Sequence, residues 1–285
     1  IIAMCLMVIF GIKELGGISN FLNSLQNISP NYMKWFPSSN FSDYLFAPFL
    51  FIMGWMFSGI GVIGQPHVMI RFMAIDNTDN IPQTRIYYYG WYISFYTLTI
   101  CAAFVARLLI PETNNLDPEL ALPILATKLL PDFLVGVVLA GIFAAAMSTA
   151  DSQILSCTAS ITNDLFSNKK DNYLFNKAVT LIVTLFVVTI AINDNKNVFN
   201  LVLISWSTLA CCFSPILIVY SLKQKITQFL SIMMMVIPLI TLHLWRYFEL
   251  NILIYEVAPG ILSGLITFLV HKIYMKFLHK RFKEK

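Results

Sequence analysis

Residues 136–166 read GVVLAGIFAAAMSTADSQILSCTASITNDLF, and this stretch decides the fold class. Its first fifteen residues carry no charge, and Asp151 is the only charged side chain before Asp164. A transmembrane helix needs about 20 mostly apolar residues, whereas the strands of membrane barrels alternate over about ten. The stretch therefore predicts a membrane-spanning helix with a polar group of residues in its middle.

The composition extends this prediction to the whole chain. Of its 285 residues, 58% are hydrophobic and 12% are charged, and the mean hydropathy is +0.72. An ordinary soluble domain has about a quarter charged residues, so these values weigh against a soluble enzyme and against disorder. The net charge of +4 is too small for a nucleic-acid-binding surface. We expect a lipid bilayer around the protein, no enzyme activity, no cofactor and no nucleic-acid partner.

Eight apolar runs predict an all-α integral membrane protein with about eight transmembrane helices in a single domain, 1–285. The runs are 1–18, 44–66, 86–110, 133–160, 174–192, 198–221, 226–244 and 252–275. Because the chain opens at Ile1 inside the first run, we expect the N-terminal helices of the protein to be missing from it.

The basic residues predict the orientation of these helices. When the loops are assigned alternately to two sides, 13 of the 19 Lys and Arg residues fall on one side. Cytoplasmic loops are enriched in these residues, so the rich side is predicted to be inside. Both ends of the chain are then cytoplasmic, and 19–43 and 111–132 are external loops of a multi-pass protein of the inner (plasma) membrane.

A glycine-rich segment, GWMFSGIGVIGQPH (54–67), interrupts the second run. Its G-x-G-x-x-G spelling does not predict a dinucleotide site, because no strand precedes it and no soluble helix follows. Repeated glycine followed by Pro66 weakens a helix, and broken membrane helices line transporter sites. Close helix packing through small residues explains the same glycines equally well.

Small and hydroxyl-bearing side chains recur at helical spacing in the fourth run. A carbonyl at Ala145 with the adjacent hydroxyls of Ser148 and Thr149 suits a small hard cation. The alternative is that these hydroxyls bond to their own helix and pack against a neighbour.

Two charged residues are candidates for coupling or gating. Asp151 lies inside an apolar run, where acids are costly and usually face protein or water, so it is either structurally paired or takes part in coupling. Arg71 lies just past the second run, where it either gates the cytoplasmic mouth or is an ordinary topology charge.

Four segments carry a family resemblance. The runs GQPHVMIRFMAIDN (64–77), 136–166, NLVLISWSTLACCFSPILIVYS (200–221) and YEVAPGILSGLI (255–266) resemble, in order, segments of the sodium:solute symporter family, above all its bacterial sodium/proline branch. The resemblance implies a LeuT-like inverted-repeat transporter fold, of which this chain would hold helices six to thirteen.

The resemblance also implies a function and its residues. A sodium-coupled symporter would import a small organic solute, an amino acid or organic acid that carries a carboxylate, by alternating access. The implied sodium ligands are the Ala145 carbonyl and the Ser148 and Thr149 hydroxyls. The implied substrate residues are Trp55, Ser58, Gly59, Val62, Gly64, Gln65 and Pro66.

This chain departs from the family at the substrate wall. Where proline carriers have a Trp and a Tyr, it has Ser58 and Val62, which favours a solute other than proline unless Trp55 compensates. Two alternatives stay open: a transporter-like membrane sensor domain, and a symporter coupled to protons through Asp151.

Overall fold

A computed structural model describes residues 1–29, 32–34, 46–110, 117–169, 171–193 and 198–283. Within these ranges all regular secondary structure is helical and there is no strand, which confirms the all-α prediction. The helices are α1 (Ile2–Glu14), α2 (Ile18–Ile28), α3 (Ala47–Ile60), α4 (Pro66–Met73), α5 (Ile81–Leu109), α6 (Ala121–Leu129), α7 (Asp132–Ala159), α8 (Tyr173–Asn193), α9 (Val198–Ser221), α10 (Gln228–Tyr247) and α11 (Val257–Lys283).

Seven helical segments of the described chain are long and apolar enough to cross a membrane. They contain α3, α5 and each of the helices from α7 to α11, and they coincide with the last seven predicted runs. Together with the composition, they make this a multi-pass membrane protein.

The first predicted run does not form a straight span. Helix α1 ends at Glu14, and α2 continues at an angle of 85°, so an eighth crossing exists only if this bent pair counts as one. Gly16 and Gly17 stand at the bend with φ values of +82° and +100°, which side chains other than glycine rarely adopt. The two glycines therefore end the helix where hydropathy alone would continue it.

The predicted external loops contain helices of their own. In 19–43, α2 is amphipathic, with Phe21 and Leu25 buried one turn apart. Residues 30, 31 and 35–45 lie outside the described ranges. In 111–132, α6 forms a short helix, while 111–116 lie outside the described ranges.

The chain divides into two compact units. The first contains Ile1–Trp35 and Ile75–Phe186, and its core gathers α1, α2, α5 and α6 around Met7, Leu25, Val105 and Leu125.

The second unit contains Phe36–Ala74 and Val187–Lys285. Here α11 lies close against α9: a methyl group added at Gly260 would lie 2.2 Å from the Cys211 sulfur, and one at Gly264 would lie 2.6 Å from Cγ of Pro215. Small residues at these crossings let helices of a membrane protein approach closely.

Candidate functional site

The predicted interruption after α3 is present in the second unit. The α-helix ends at Ile60, a tighter 3-10 turn spans Gly61–Gly64, and the chain is extended at Gln65 (φ −92°, ψ 108°) before α4 begins at Pro66. Proline has no N–H and fixes φ, so it is well suited to the first position of a new helix. The residues of this segment thus explain locally why one apolar run becomes two helices.

Two glycines of the break lie against α9. A Cβ atom at Gly61 would come within 2.7 Å of Cβ of Ala210, and one at Gly64 within 2.6 Å of the Ser214 hydroxyl. No side chain fits at either position without displacing α9, so close packing accounts for both glycines. Gly59 differs, because a Cβ atom there meets nothing within 4 Å.

Hydrogen bonds with α9 hold both sides of the break. The indole N–H of Trp206 donates to the Ser58 carbonyl at 3.3 Å, and the Gln65 side-chain amide donates to the Trp206 carbonyl at 3.0 Å. Near the middle, the Ser214 hydroxyl donates to the Gly61 carbonyl at 3.5 Å. Gln65, predicted as a substrate residue, is 1% exposed, and its side-chain amide donates to Trp206.

The other predicted substrate residues lie around this break. Ser58 and Val62 are half-buried, and Pro66 is exposed. Trp55 stacks on Tyr255, which lies two residues before α11, with ring centroids 5.3 Å apart and planes at 17°. One face of the Trp55 indole is therefore covered, although the residue remains 47% exposed.

Helix α4 carries the predicted gating residue. Arg71 is exposed in its last turn, one turn from His67. Burial lowers the pKa of His67 below its usual 6.5, and the Arg71 charge lowers it further. Both effects disfavour the imidazolium form, so Arg71 carries the one positive charge of α4 at neutral pH.

The predicted cation ligands lie on α7, in the first unit. The Thr149 hydroxyl donates to the Ala145 carbonyl at 3.0 Å, so these two oxygens are neighbours on one helix face. Ala145, Ser148 and Thr149 are all exposed in the described chain. The Thr149 hydroxyl therefore bonds to its own helix, as the alternative interpretation predicted. This hydrogen bond also places the Ala145 and Thr149 oxygens side by side.

The next turn of α7 contains further polar groups. The Ser152 hydroxyl donates to the Ser148 carbonyl at 2.6 Å and to the Thr149 carbonyl at 3.2 Å. Asp151 is exposed, and no described residue forms a hydrogen bond or ion pair with its carboxylate. Among the described residues there is also no cluster of three His, Cys, Asp or Glu side chains that could hold a metal ion.

A buried polar cluster at the start of α11 was not predicted from the sequence. Glu256 is 4% exposed and accepts hydrogen bonds from the Ser207 hydroxyl of α9 and the Arg246 guanidinium of α10. Next to it, burial raises the pKa of Tyr255 to about 12, and its hydroxyl donates to the Leu203 carbonyl at 3.4 Å. One signal was available in the sequence: an Arg and a Glu ten residues apart flank the turn between two apolar runs.

Comparison with known proteins places the chain in a family. The model of "Sodium:solute symporter family" matches residues 1–237, which include the broken span and α7. The chain belongs to the sodium:solute symporter family. Members of this family are transporters, which agrees with the prediction that the protein is not an enzyme.

Several curated symporters of this family are similar to the chain along nearly its whole length. The "Sodium/proline symporter" of Escherichia coli is 26% identical over 100% of the chain and 58% of its own length. The "Sodium/proline symporter" of Salmonella typhimurium is 27% identical over 97% and 56%. The "Osmoregulated proline transporter OpuE" of Bacillus subtilis is 23% identical over 96% and 56%.

The chain thus spans somewhat over half the length of these curated relatives. No solved structure matches it.

Proposed function

We propose that the complete protein is a sodium-coupled symporter that imports a small carboxylate-bearing organic solute across the inner (plasma) membrane. Its family supports the class of activity, and the adjacent oxygens of Ala145 and Thr149 support the choice of ion. In this proposal sodium is the coupling ion, no cofactor is needed, and both ends of the chain lie in the cytoplasm.

The proposed architecture is the LeuT-like inverted repeat with alternating access. The break between α3 and α4 supports it, since transporters of this kind place discontinuous helices at the substrate site. In alternating access, sodium and solute shift the protein between states in proportion to their different affinities for those states. An inward-moving sodium ion contributes roughly 2.3 kcal/mol per 100 mV of membrane potential.

The proposed sodium ligands are the Ala145 carbonyl and the hydroxyls of Ser148 and Thr149. Hard cations prefer oxygen ligands, and oxygens about 2.3–2.6 Å from one cation lie roughly 3–3.5 Å from each other. The 3.0 Å separation of the Ala145 and Thr149 oxygens fits that spacing closely. To bind the ion, the Thr149 hydroxyl turns its proton away from Ala145 and offers a lone pair.

The proposed solute site uses the open side of the break. Gly59 faces no other described group, and Ser58 and Val62 lie on either side of it. The names of the curated relatives make proline the first solute to test. The short side chains of Ser58 and Val62 offer a proline ring little apolar contact, so we propose a solute that binds mainly through its carboxylate.

Uptake into proteoliposomes tests this function. The complete protein is reconstituted, and an inward gradient of sodium or of protons is imposed while labelled proline, other amino acids and organic acids are offered. Sodium-driven accumulation of one of these carboxylates is the expected result. Accumulation driven only by protons would assign coupling to a proton, with Asp151 as its first candidate carrier. Absence of uptake of every solute would favour the membrane sensor instead.

A further inference from the structure

One aromatic residue of α9, Trp206, is bonded to the broken span on both sides of its break: its indole N–H donates to the Ser58 carbonyl, and its backbone carbonyl accepts from the Gln65 side chain. We infer that Trp206 is a positioning residue, which fixes the backbone between Ser58 and Gln65 so that Ser58 and Gly59 are held in place for the solute. This inference rests on the proposed solute site. Trp206 acts through the Ser58 carbonyl, and no contact between its own ring and the solute is required.

The first bond addresses a weakness that the break creates. At the end of α3 the helix tightens, with the Gly61 N–H donating to the carbonyls of Phe57 and Gly59. Such tight turns have poorer hydrogen-bond geometry than an α-helix, and the membrane interior supplies no water to make up for it. The Trp206 indole N–H provides a donor for the Ser58 carbonyl from outside the span.

The second bond comes from the other side of the break. Gln65 is the extended residue between the two helices, its side chain is buried, and its amide donates to the Trp206 carbonyl. Ser58 and Gln65 are seven positions apart and enclose the glycine segment 59–64. Since both are bonded to one residue, the ends of this segment are held at a fixed separation.

The face of α9 that follows Trp206 packs against the same glycine segment. Trp206, Ala210 and Ser214 follow one another at four-residue spacing, so they lie on one side of the helix. Ala210 and Ser214 are the residues that Gly61 and Gly64 approach. On this face, Ala210 and Ser214 lie where the backbone of the 3-10 turn comes close to α9, and Trp206 donates a hydrogen bond where α3 ends.

Trp206→Phe is the decisive variant, because it removes the N–H donor and keeps most of the ring. Its matched control is Trp245→Phe in α10. Trp245 is also half-buried and its indole N–H also donates to a backbone carbonyl, that of Ile254 at 3.0 Å, in the turn between α10 and α11. Both variants lose one indole hydrogen bond, and only one loses it at the broken span.

Two measurements on the complete protein separate positioning from general stability. The first is backbone hydrogen exchange of peptides that cover 58–66, which needs no solute. The second is the kinetics of sodium-driven uptake. For Trp206→Phe we expect exchange in 58–66 to be about 5- to 10-fold faster and KM for the solute to rise about 5- to 10-fold, with the maximal rate changed less than twofold. Trp245→Phe should leave both unchanged.

The outcomes are distinguishable from failure of the proposed function. If the unaltered protein transports no solute, exchange in 58–66 still decides whether Trp206 holds the break. Equal exchange rates in the Trp206→Phe and unaltered proteins would overturn the inference. Faster exchange with an unchanged KM would also overturn it, because Trp206 would then stabilise the break without positioning the solute site.

Discussion

The guanidinium of Arg246 forms an ion pair with the buried carboxylate of Glu256. Its Nε donates to the Glu256 Oε1 atom at 3.0 Å, and its Nη2 contacts the same oxygen. Ser207 completes the cluster, because its hydroxyl donates to Oε1 at 2.9 Å and lies 2.6 Å from the Arg246 Nη2. One carboxylate oxygen thus joins α9, the end of α10 and the start of α11.

Removing one partner of this pair should destabilise the protein strongly. Glu256→Gln leaves the Arg246 charge without its counterion. Breaking a buried pair in this way costs about 3–5 kcal/mol, and because the Arg246 side chain is 25% exposed we expect the lower end of that range, about 3 kcal/mol. Unfolding of the purified complete protein in increasing denaturant measures the loss. Glu249→Gln is the control, because Glu249 lies nearby but exposed, and it should change the free energy of unfolding by less than about 0.5 kcal/mol.

Replacing both members of this pair gives a second prediction. When both partners become apolar, as in Arg246→Met with Glu256→Leu, no buried charge is left alone, so the double variant should be more stable than Glu256→Gln. A double variant that is less stable would mean that the cluster does not behave as an ion pair.

The titration of His67 should respond to Arg71. Burial is the larger cause of its lowered pKa and the Arg71 charge the smaller one, so Arg71→Gln should raise the pKa while keeping it below 6.5. Because the pKa of His67 is lower in the folded protein, its contribution to stability is fully present above pH 6.5. The folded protein loses that stability as the pH falls below 6.5. NMR of the labelled imidazole measures the pKa. An unchanged value in Arg71→Gln would show that the guanidinium does not act on His67.

Asp151 is expected to modulate transport without carrying the coupled ion. Asp151→Asn keeps the size of the side chain and removes its charge, and uptake should remain driven by a sodium gradient with altered kinetics. Uptake by the unaltered protein that follows a proton gradient, and loses that dependence in Asp151→Asn, would contradict this expectation.

Proline should compete weakly for the solute site. Because Ser58 and Val62 have short side chains, a bound proline ring would make less apolar contact with them than with two aromatic side chains, a difference worth roughly 1–3 kcal/mol, or about a 5- to 150-fold lower affinity. Because Tyr255 covers one face of Trp55, only the other face of that indole is free to compensate. Competition for uptake among proline and other carboxylates measures the preference. Micromolar proline uptake that an excess of the others does not reduce would refute it.

The sequence predicted features that depend on local chemistry. Helix length and hydropathy located the seven spans, and Pro66 after repeated glycine indicated the break, because proline and glycine act on their own turn of backbone. The sequence left close packing open as the other explanation of the glycines, and the structure shows that packing at Gly61 and Gly64. The bend at Gly16 and Gly17 was missed, because hydropathy continues across two residues whose conformation ends the helix.

Features that depend on distant parts of the chain could not be predicted in this way. Trp206 is separated from Ser58 by 148 positions, and nothing in either segment alone pairs an indole with that carbonyl. Glu256 stands at the edge of an apolar run, where charges usually mark the membrane surface, and only the packing of α9 and α10 around it makes it a buried group.

The most direct test of the account is sodium activation of uptake in Ser148→Ala with Thr149→Ala. These changes remove two of the three proposed ligand oxygens, so the double variant should lose sodium-dependent uptake, while Thr149→Ser, which keeps the oxygen, should be affected less. Ser152→Ala serves as control, since it removes a back-bonded hydroxyl from the same helix outside the ligand set and should keep normal sodium activation. If the double variant instead responds to sodium as the unaltered protein does, the ion binds elsewhere and the assignment of α7 is wrong.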